Sequence, residues 1–294
     1  MVKTKKIPVK ERLKIYSARG YVGLILLLLY TPIMFVIVFS FTESLVMGEW
    51  SGFSFNLYVR LFTGANSASL GQAVLNTVVL AVCTAVISTI LGTLASIGIY
   101  NTRKKVRTVY TTVNQIPVLS AEIVTAVSLS LLFVSIGFEK GFFTLLLSHI
   151  TFCTPFVVLT VMPKLRQLNP NVYEAALDLG ANPFQAMMKV IIPQIIPAMI
   201  TGFLLALTLS IDDFVITVFN TSGFTTLSKY IYDDAVKGGL GPELRALSTL
   251  IFATVMIILV IINIRSRKKE SDGFVQTIMT SQVWKKQAMR AARR

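Results

Sequence analysis

Six apolar runs alternate with polar segments along the chain: Tyr21–Phe41, Ala73–Ile99, Val113–Ile136, Phe142–Met162, Ile195–Phe219 and Ala246–Ile264. Each is close to or above the roughly 20 residues that a helix needs to cross a bilayer. The pattern predicts an all-α polytopic membrane protein with six transmembrane helices. The second run is longer than a crossing requires, which leaves it room to tilt or project. A basic segment, residues 1–20, precedes the first run. That run is too long for a secretory signal core and no small-x-small cleavage site follows it, so it reads as an uncleaved span. The expected organisation is a basic N-terminus at 1–20, a six-helix domain at 21–264 and a basic tail at 265–294.

The polar segment 163–194 differs from the others. Its centre, Glu174-Ala175-Ala176-Leu177-Asp178-Leu179-Gly180, is built of good helix formers. Asn169 or Asn171 is positioned to cap a short helix, Gly180 to end it, and Asn182-Pro183 to start another. Such a helix–Gly–helix elbow is too short and too charged to span a bilayer. It is suited to lie outside the membrane and present a face to another protein.

Charge assigns that face to a compartment. The chain carries 28 Lys and Arg against 14 Asp and Glu, a net charge of +14. Seven of the basic residues precede the first run, four lie at 103–107, three in 163–194 and nine in the tail, leaving five on the opposite side. The positive-inside rule therefore expects both termini and the 163–194 loop in the cytoplasm of a plasma-membrane protein. The basic excess reads as topology, with some attraction to anionic lipid, and requires no nucleic acid. Mean hydropathy is +0.70 and only 14% of residues are charged, which favours one membrane domain over soluble ones. Cys83 and Cys153 both fall in apolar runs and read as packing residues. There is one histidine, no metal-spaced cluster and no Gly-x-x-x-x-Gly-Lys-[Ser/Thr] phosphate loop, so an enzyme is not expected.

Three carboxylates interrupt the apolar runs: Glu122, Asp212 and Asp213. An acid at membrane depth costs a few kcal/mol on insertion scales and usually faces a cavity or a partner. No run carries a central Lys or Arg to neutralise them, which points to a path for a cation. On straight helices Asp212 would lie roughly 25 Å along the fifth run and Glu122 roughly 14 Å into the third. Acids at two depths suit an elongated polycation. The other reading is that one or more caps a helix break or bonds to a neighbouring subunit. The aromatic residues Trp50, Phe53, Phe55, Tyr58 and Phe62 in segment 42–72 fit either a membrane interface or a partner surface.

Glu174-Ala175-Ala176, three residues, Gly180, nine residues, then Val190-Ile191-Ile192-Pro193 resembles the coupling-loop motif of ABC importer permeases. Val190 and Ile192 depart mildly from that family's usual Ile-x-Leu-Pro. Two further stretches, Ser148-His149-Ile150-Thr151-Phe152-Cys153 with Pro155-Phe156, and Leu209-Ser210-Ile211-Asp212-Asp213, extend the likeness. With Pro242-Glu243 they make the chain similar to the second permease subunit of spermidine/putrescine importers. The resemblance implies the type I importer permease fold and a transport subunit that switches between inward- and outward-open states. It implies that Glu174 docks into an ATPase, with Ala175, Ala176 and Gly180 permitting close approach. It also implies a paralogous permease, an ATPase dimer that holds the ATP and magnesium, and an extracytoplasmic polyamine-binding protein. That protein would dock on segments 42–72 and 220–245. There Tyr230, Tyr232, Asp233 and Asp234 would serve either a polycation, by charge and cation–π attraction, or the receptor. The alternatives are the same architecture for a ferric ion, thiamine or an opine-like cation, and a membrane scaffold or passive channel.

Overall fold

A computed structural model describes residues 9–44, 48–64, 67–169, 171–238 and 242–254, with 256, 257 and 260. Among them every regular element is helical. Two compact units divide the chain, 1–64 with 240–294, and 65–239. The tail 265–294, the first eight residues and the end of the sixth apolar run lie outside the described residues.

In the first unit, α1 (Val9–Phe39) contains the apolar stretch Gly20–Phe39. The chain then folds back around Phe41, whose ring meets Phe53, Phe55 and Tyr58 at centroid distances of 5.4, 5.7 and 5.3 Å. Ser40 bonds the Tyr58 hydroxyl at 2.8 Å, and α2 (Asn56–Thr63) begins beside it. Much of the aromatic content of segment 42–72 therefore packs on itself. Trp50, Phe53, Phe55 and Phe62 nevertheless stay more than half exposed. Residues 242–254 are helical, and Arg245 donates from its guanidinium to the Ser44 carbonyl.

The second unit is built on α3 (Ser67–Tyr100), α4 (Lys104–Leu119), α5 (Glu122–Ile136) and α6 (Phe142–Gln167). Two short helices follow, α7 (Asn171–Asp178) and α8 (Pro183–Ala186), then a π-turn at Met187–Ile191. The unit ends with α9 (Ile192–Asp212), α10 (Val215–Asn220) and α11 (Leu227–Gly238). Four stretches are long and apolar enough to cross a bilayer, or five if α4 and α5 count as one bent span. This is a multi-pass membrane protein.

Helices α3, α6 and α9 pack on one another, and the face that α3 buries explains how. It is a stripe of small residues, Ala81, Thr84, Ala85, Ser88, Gly92 and Ser96, while Leu75, Val79, Val86, Ile90 and Leu94 point outward. In lipid no hydrophobic gain comes from burying leucine, so small residues that let helices approach closely hold the interface. Val157 of α6 sits in the tightest place. A Cβ on Gly92 would meet its side chain at 2.7 Å, and one on Gly202 of α9 would meet it at 3.1 Å. We expect Gly92→Ala to lower the thermal unfolding midpoint in detergent, at a cost of about 1–3 kcal/mol from overpacking. Gly98→Ala, in the same helix with nothing within 4 Å, should leave the midpoint unchanged or raised.

The third and fifth apolar runs are each broken. The expected continuous span Val113–Ile136, with Pro117 in its first turns, is two helices bent by 100°. Pro117 supplies no amide to the ladder, and Ser120 and Ala121 take extended conformations. Side chains replace the missing bonds: Ser120 Oγ donates to the Pro117 carbonyl at 3.0 Å and pairs with Thr125 Oγ1 at 3.2 Å. Such breaks persist at membrane depth where neighbouring groups satisfy the freed backbone. The expected span Ile195–Phe219 likewise ends at Asp212. Asp213 is extended, and α10 resumes at Val215. The expected bounds of the 163–194 segment also shift, because α6 runs on to Gln167 and, after α7, helical structure resumes at Pro183 and continues into α9.

Candidate functional site

The two helix breaks bring acids together. Glu122 opens the first turn of α5, and its carboxyl lies beside that of Asp213. Straight helices would have set these acids apart along their spans; with α4 and α5 bent by 100°, Glu122 instead stands beside the break that holds Asp213. The helices that follow the two breaks, α5 and α10, pack on each other. Ser130 donates to the Phe219 carbonyl at 3.0 Å and Asn220 Nδ2 to the Ala126 carbonyl at 3.0 Å.

Asp212 and Asp213 have different surroundings. Asp213 is 4% exposed, and its Oδ1 accepts from the Ile216 amide at 3.0 Å, capping α10. Its carbonyl accepts from Ser228 at 2.9 Å and from Thr217 at 3.3 Å. Its Oδ2 stands 3.1 Å from His149 Nε2, near enough for an ion pair but without an aligned hydrogen bond. The capping alternative weighed for the acids thus describes Asp213. Asp212, one residue earlier, is exposed at the C-terminal end of α9. That end is the negative pole of the helix dipole, which favours a cation. Half-helix C-termini meet cations in this way in transporters with discontinuous spans. Phe214 follows the break, and its ring lies against that of Tyr232, tilted by 44° with the centroids 4.5 Å apart.

Tyr230, Asp233 and Asp234 line a groove of about 470 Å³ with Gln72 and Asn76 of α3 and Thr225. Tyr232 is absent from that lining and stands with Phe214 instead, so the four residues do not form one cluster. Asp233 is bridged by Lys229 one turn earlier at 3.1 Å, which partly offsets its charge.

The 163–182 elbow follows its sequence closely. Asn169 Oδ1 accepts from the Asn171 amide at 3.0 Å at the start of α7. Gly180 ends that helix at φ +87, with its amide bonded to the Leu177 carbonyl and the Ala181 amide to Ala176. This double bond pattern needs a left-handed residue, which glycine supplies without a Cβ penalty. Asn182 and Gln185 then form a reciprocal capping box at the start of α8. Glu174, Ala175 and Gly180 are exposed and Ala176 is partly so. Two apolar side chains escaped the sequence reading: Leu179 is 90% exposed and Phe184 73%. The sign available was an apolar pair beside Gly180 in a polar loop. Side chains of this kind, bare in the isolated chain, suit a protein partner.

Among the described residues no group of three His, Cys, Asp or Glu is placed to hold a metal. Cys153 is buried, with its sulfur 3.7 Å from the Ala206 carbonyl.

Residues 88–266 match the family described as binding-protein-dependent transport system inner membrane component. The chain is 37% identical over 260 residues to the spermidine/putrescine transport system permease protein PotC of Escherichia coli (strain K12), covering 87% of this chain and 97% of that protein. It is 35% identical over 238 residues to the putrescine transport system permease protein PotI of the same strain, covering 78% and 83%. In fold it resembles a chain of a bacterial ABC transporter for the acidic polysaccharide alginate. The TM-score is 0.66 at 16% identity, over 90% of this chain and 99% of that one. A second structure of an alginate transporter, with a pentasaccharide-bound periplasmic protein, gives 0.64 at 19% identity, over 85% and 93%. Broken apolar spans, a capped elbow with a bare face and this degree of identity agree, and the chain belongs to the family of binding-protein-dependent transport system inner membrane components.

Proposed function

We propose that this chain is a permease subunit through which an ATP-driven importer moves polyamines of the spermidine/putrescine class into the cell. The observation that carries the proposal is the exposed Asp212 at the negative end of α9. Glu122 stands at the adjoining break, and no cation bridges either acid among the described residues. A flexible chain with several ammonium groups is matched by acids near a common break and by the aromatic faces of Phe214 and Tyr232. The names of the similar permeases agree with that chemistry.

Both termini and the elbow face the cytoplasm in this reading, as the basic residues require. A paralogous permease completes the pore, and an extracytoplasmic polyamine-binding protein delivers substrate to segments 42–72 and 220–245. An ATPase dimer, holding ATP and magnesium, docks on Glu174, Ala175, Ala176 and Gly180. Its closure moves α7, and the π-turn passes that movement to α9. Leu179 and Phe184 add apolar contact to the same surface.

The test is the ATPase rate of the assembled complex with its binding protein in proteoliposomes. Spermidine or putrescine should raise the rate. Stimulation by a ferric ion, thiamine or an opine, with none by polyamine, would keep the architecture and overturn the substrate. Ion conduction without ATP would make the chain a channel instead.

A further inference from the structure

Asp212 is the last residue of α9: the Asp213 amide closes the final helical bond on the Leu209 carbonyl at 3.1 Å, and Asp213 itself is extended. A single imidazole spans the break. His149, fully buried on α6, places Nδ1 2.9 Å from Ser210 Oγ in the last turn of α9. Its Nε2 lies 3.3 Å from Thr217 Oγ1 in α10 and 3.1 Å from Asp213 Oδ2.

The surrounding bonds set the order of protons. Thr217 uses its hydroxyl hydrogen on the Asp213 carbonyl, so its oxygen is left to accept from His149 Nε2–H. Nδ1 of the neutral ring is then the acceptor for the Ser210 hydroxyl. The ring ties the residue two before Asp212 to the residue five after it, and anchors both to a helix that packs against α3 and α9. Ser228 of α11 closes the network on the Asp213 carbonyl.

From this geometry we infer that His149 is a positioning residue for substrate. It fixes the α9–α10 break and so the direction in which Asp212 meets an ammonium group. The inference rests on the polyamine reading of Asp212. His149 touches no substrate and acts through the acid.

The experiment is a double-mutant cycle in the full complex in proteoliposomes, reading the spermidine concentration that half-saturates transport and ATPase stimulation. His149→Phe should raise that concentration about tenfold, the equivalent of ~1.4 kcal/mol. His149→Gln, which can present one donor and one acceptor, should recover part of the loss. On an Asp212→Asn background His149→Phe should add little, because the route through Asp212 is already cut. A purely structural role would instead lower the amount and melting point of the complex and add in full to Asp212→Asn. If His149→Phe does not assemble, Ser210→Ala removes one partner of the ring and should give a smaller rise with the same non-additivity. Unchanged half-saturation in an assembled His149 or Ser210 variant, or full additivity, overturns the inference. A wild-type complex that spermidine does not stimulate overturns the polyamine reading instead, so the two failures are distinct.

Discussion

Glu174→Lys should leave the chain in the membrane in normal amount and reduce polyamine uptake at least tenfold while ATP hydrolysis becomes indifferent to substrate. The reasoning begins with exposure. Glu174 projects from the first turn of α7, meets no cation among the described residues, and has no core of its own to support. Reversing its charge therefore costs little in folding, as surface substitutions generally do. Removing one partner of a hydrogen-bonded charge pair at a protein interface costs about 2–5 kcal/mol. A pocket of about 290 Å³, lined by Tyr173 and Glu174 with Ile97, Tyr100, Met187 and Ile191, lies behind α7. In the proposed coupling, that space is the room in which the elbow shifts against the π-turn. Uptake and ATPase rates measured on the same membranes check the prediction. Unchanged uptake would remove Glu174 from the coupling surface.

The neighbouring acids should respond differently to the same small change. Asp212→Asn keeps shape and loses charge at an exposed helix end, so the folded amount should hold while the half-saturating polyamine concentration rises about ten- to hundredfold. A contact at ~4 Å is worth up to about 4 kcal/mol at an intermediate dielectric, and exposure discounts that figure. Asp213→Asn acts on the fold. Its amide oxygen can still cap the Ile216 amide, but its NH₂ then faces the donating Nε2 of His149. A buried donor set against a donor costs about 1–3 kcal/mol. The chain should therefore melt earlier and accumulate less, whatever the substrate. Quantifying membrane-inserted protein beside transport separates the two effects. Equal loss of transport per folded molecule in both variants would contradict the division of roles.

The elbow was legible in sequence because its signals are local. Gly180 at a left-handed helix end and Asn182-Pro183 at a helix start act within a few residues, and both occur where expected. The apolar runs were legible too, since hydropathy depends only on composition. The breaks were not. Hydropathy reads Val113–Ile136 and Ile195–Phe219 as continuous whether or not the backbone bends, and one proline or aspartate does not alter it. What makes the bends stable lies far away in the chain: Ser130 to Phe219, Asn220 to Ala126, His149 to Ser210 and Thr217. Adjacent residues on a helix point about 100° apart, so different roles for Asp212 and Asp213 were legible, but which of them is buried depended on the same distant contacts.

The most direct test of the central claim is uptake of radiolabelled spermidine and putrescine by cells lacking this chain, with and without its restoration. Uptake should return with the chain, and excess unlabelled polyamine should compete it away. Polyamine uptake that is the same with and without the chain would contradict its assignment as a polyamine permease.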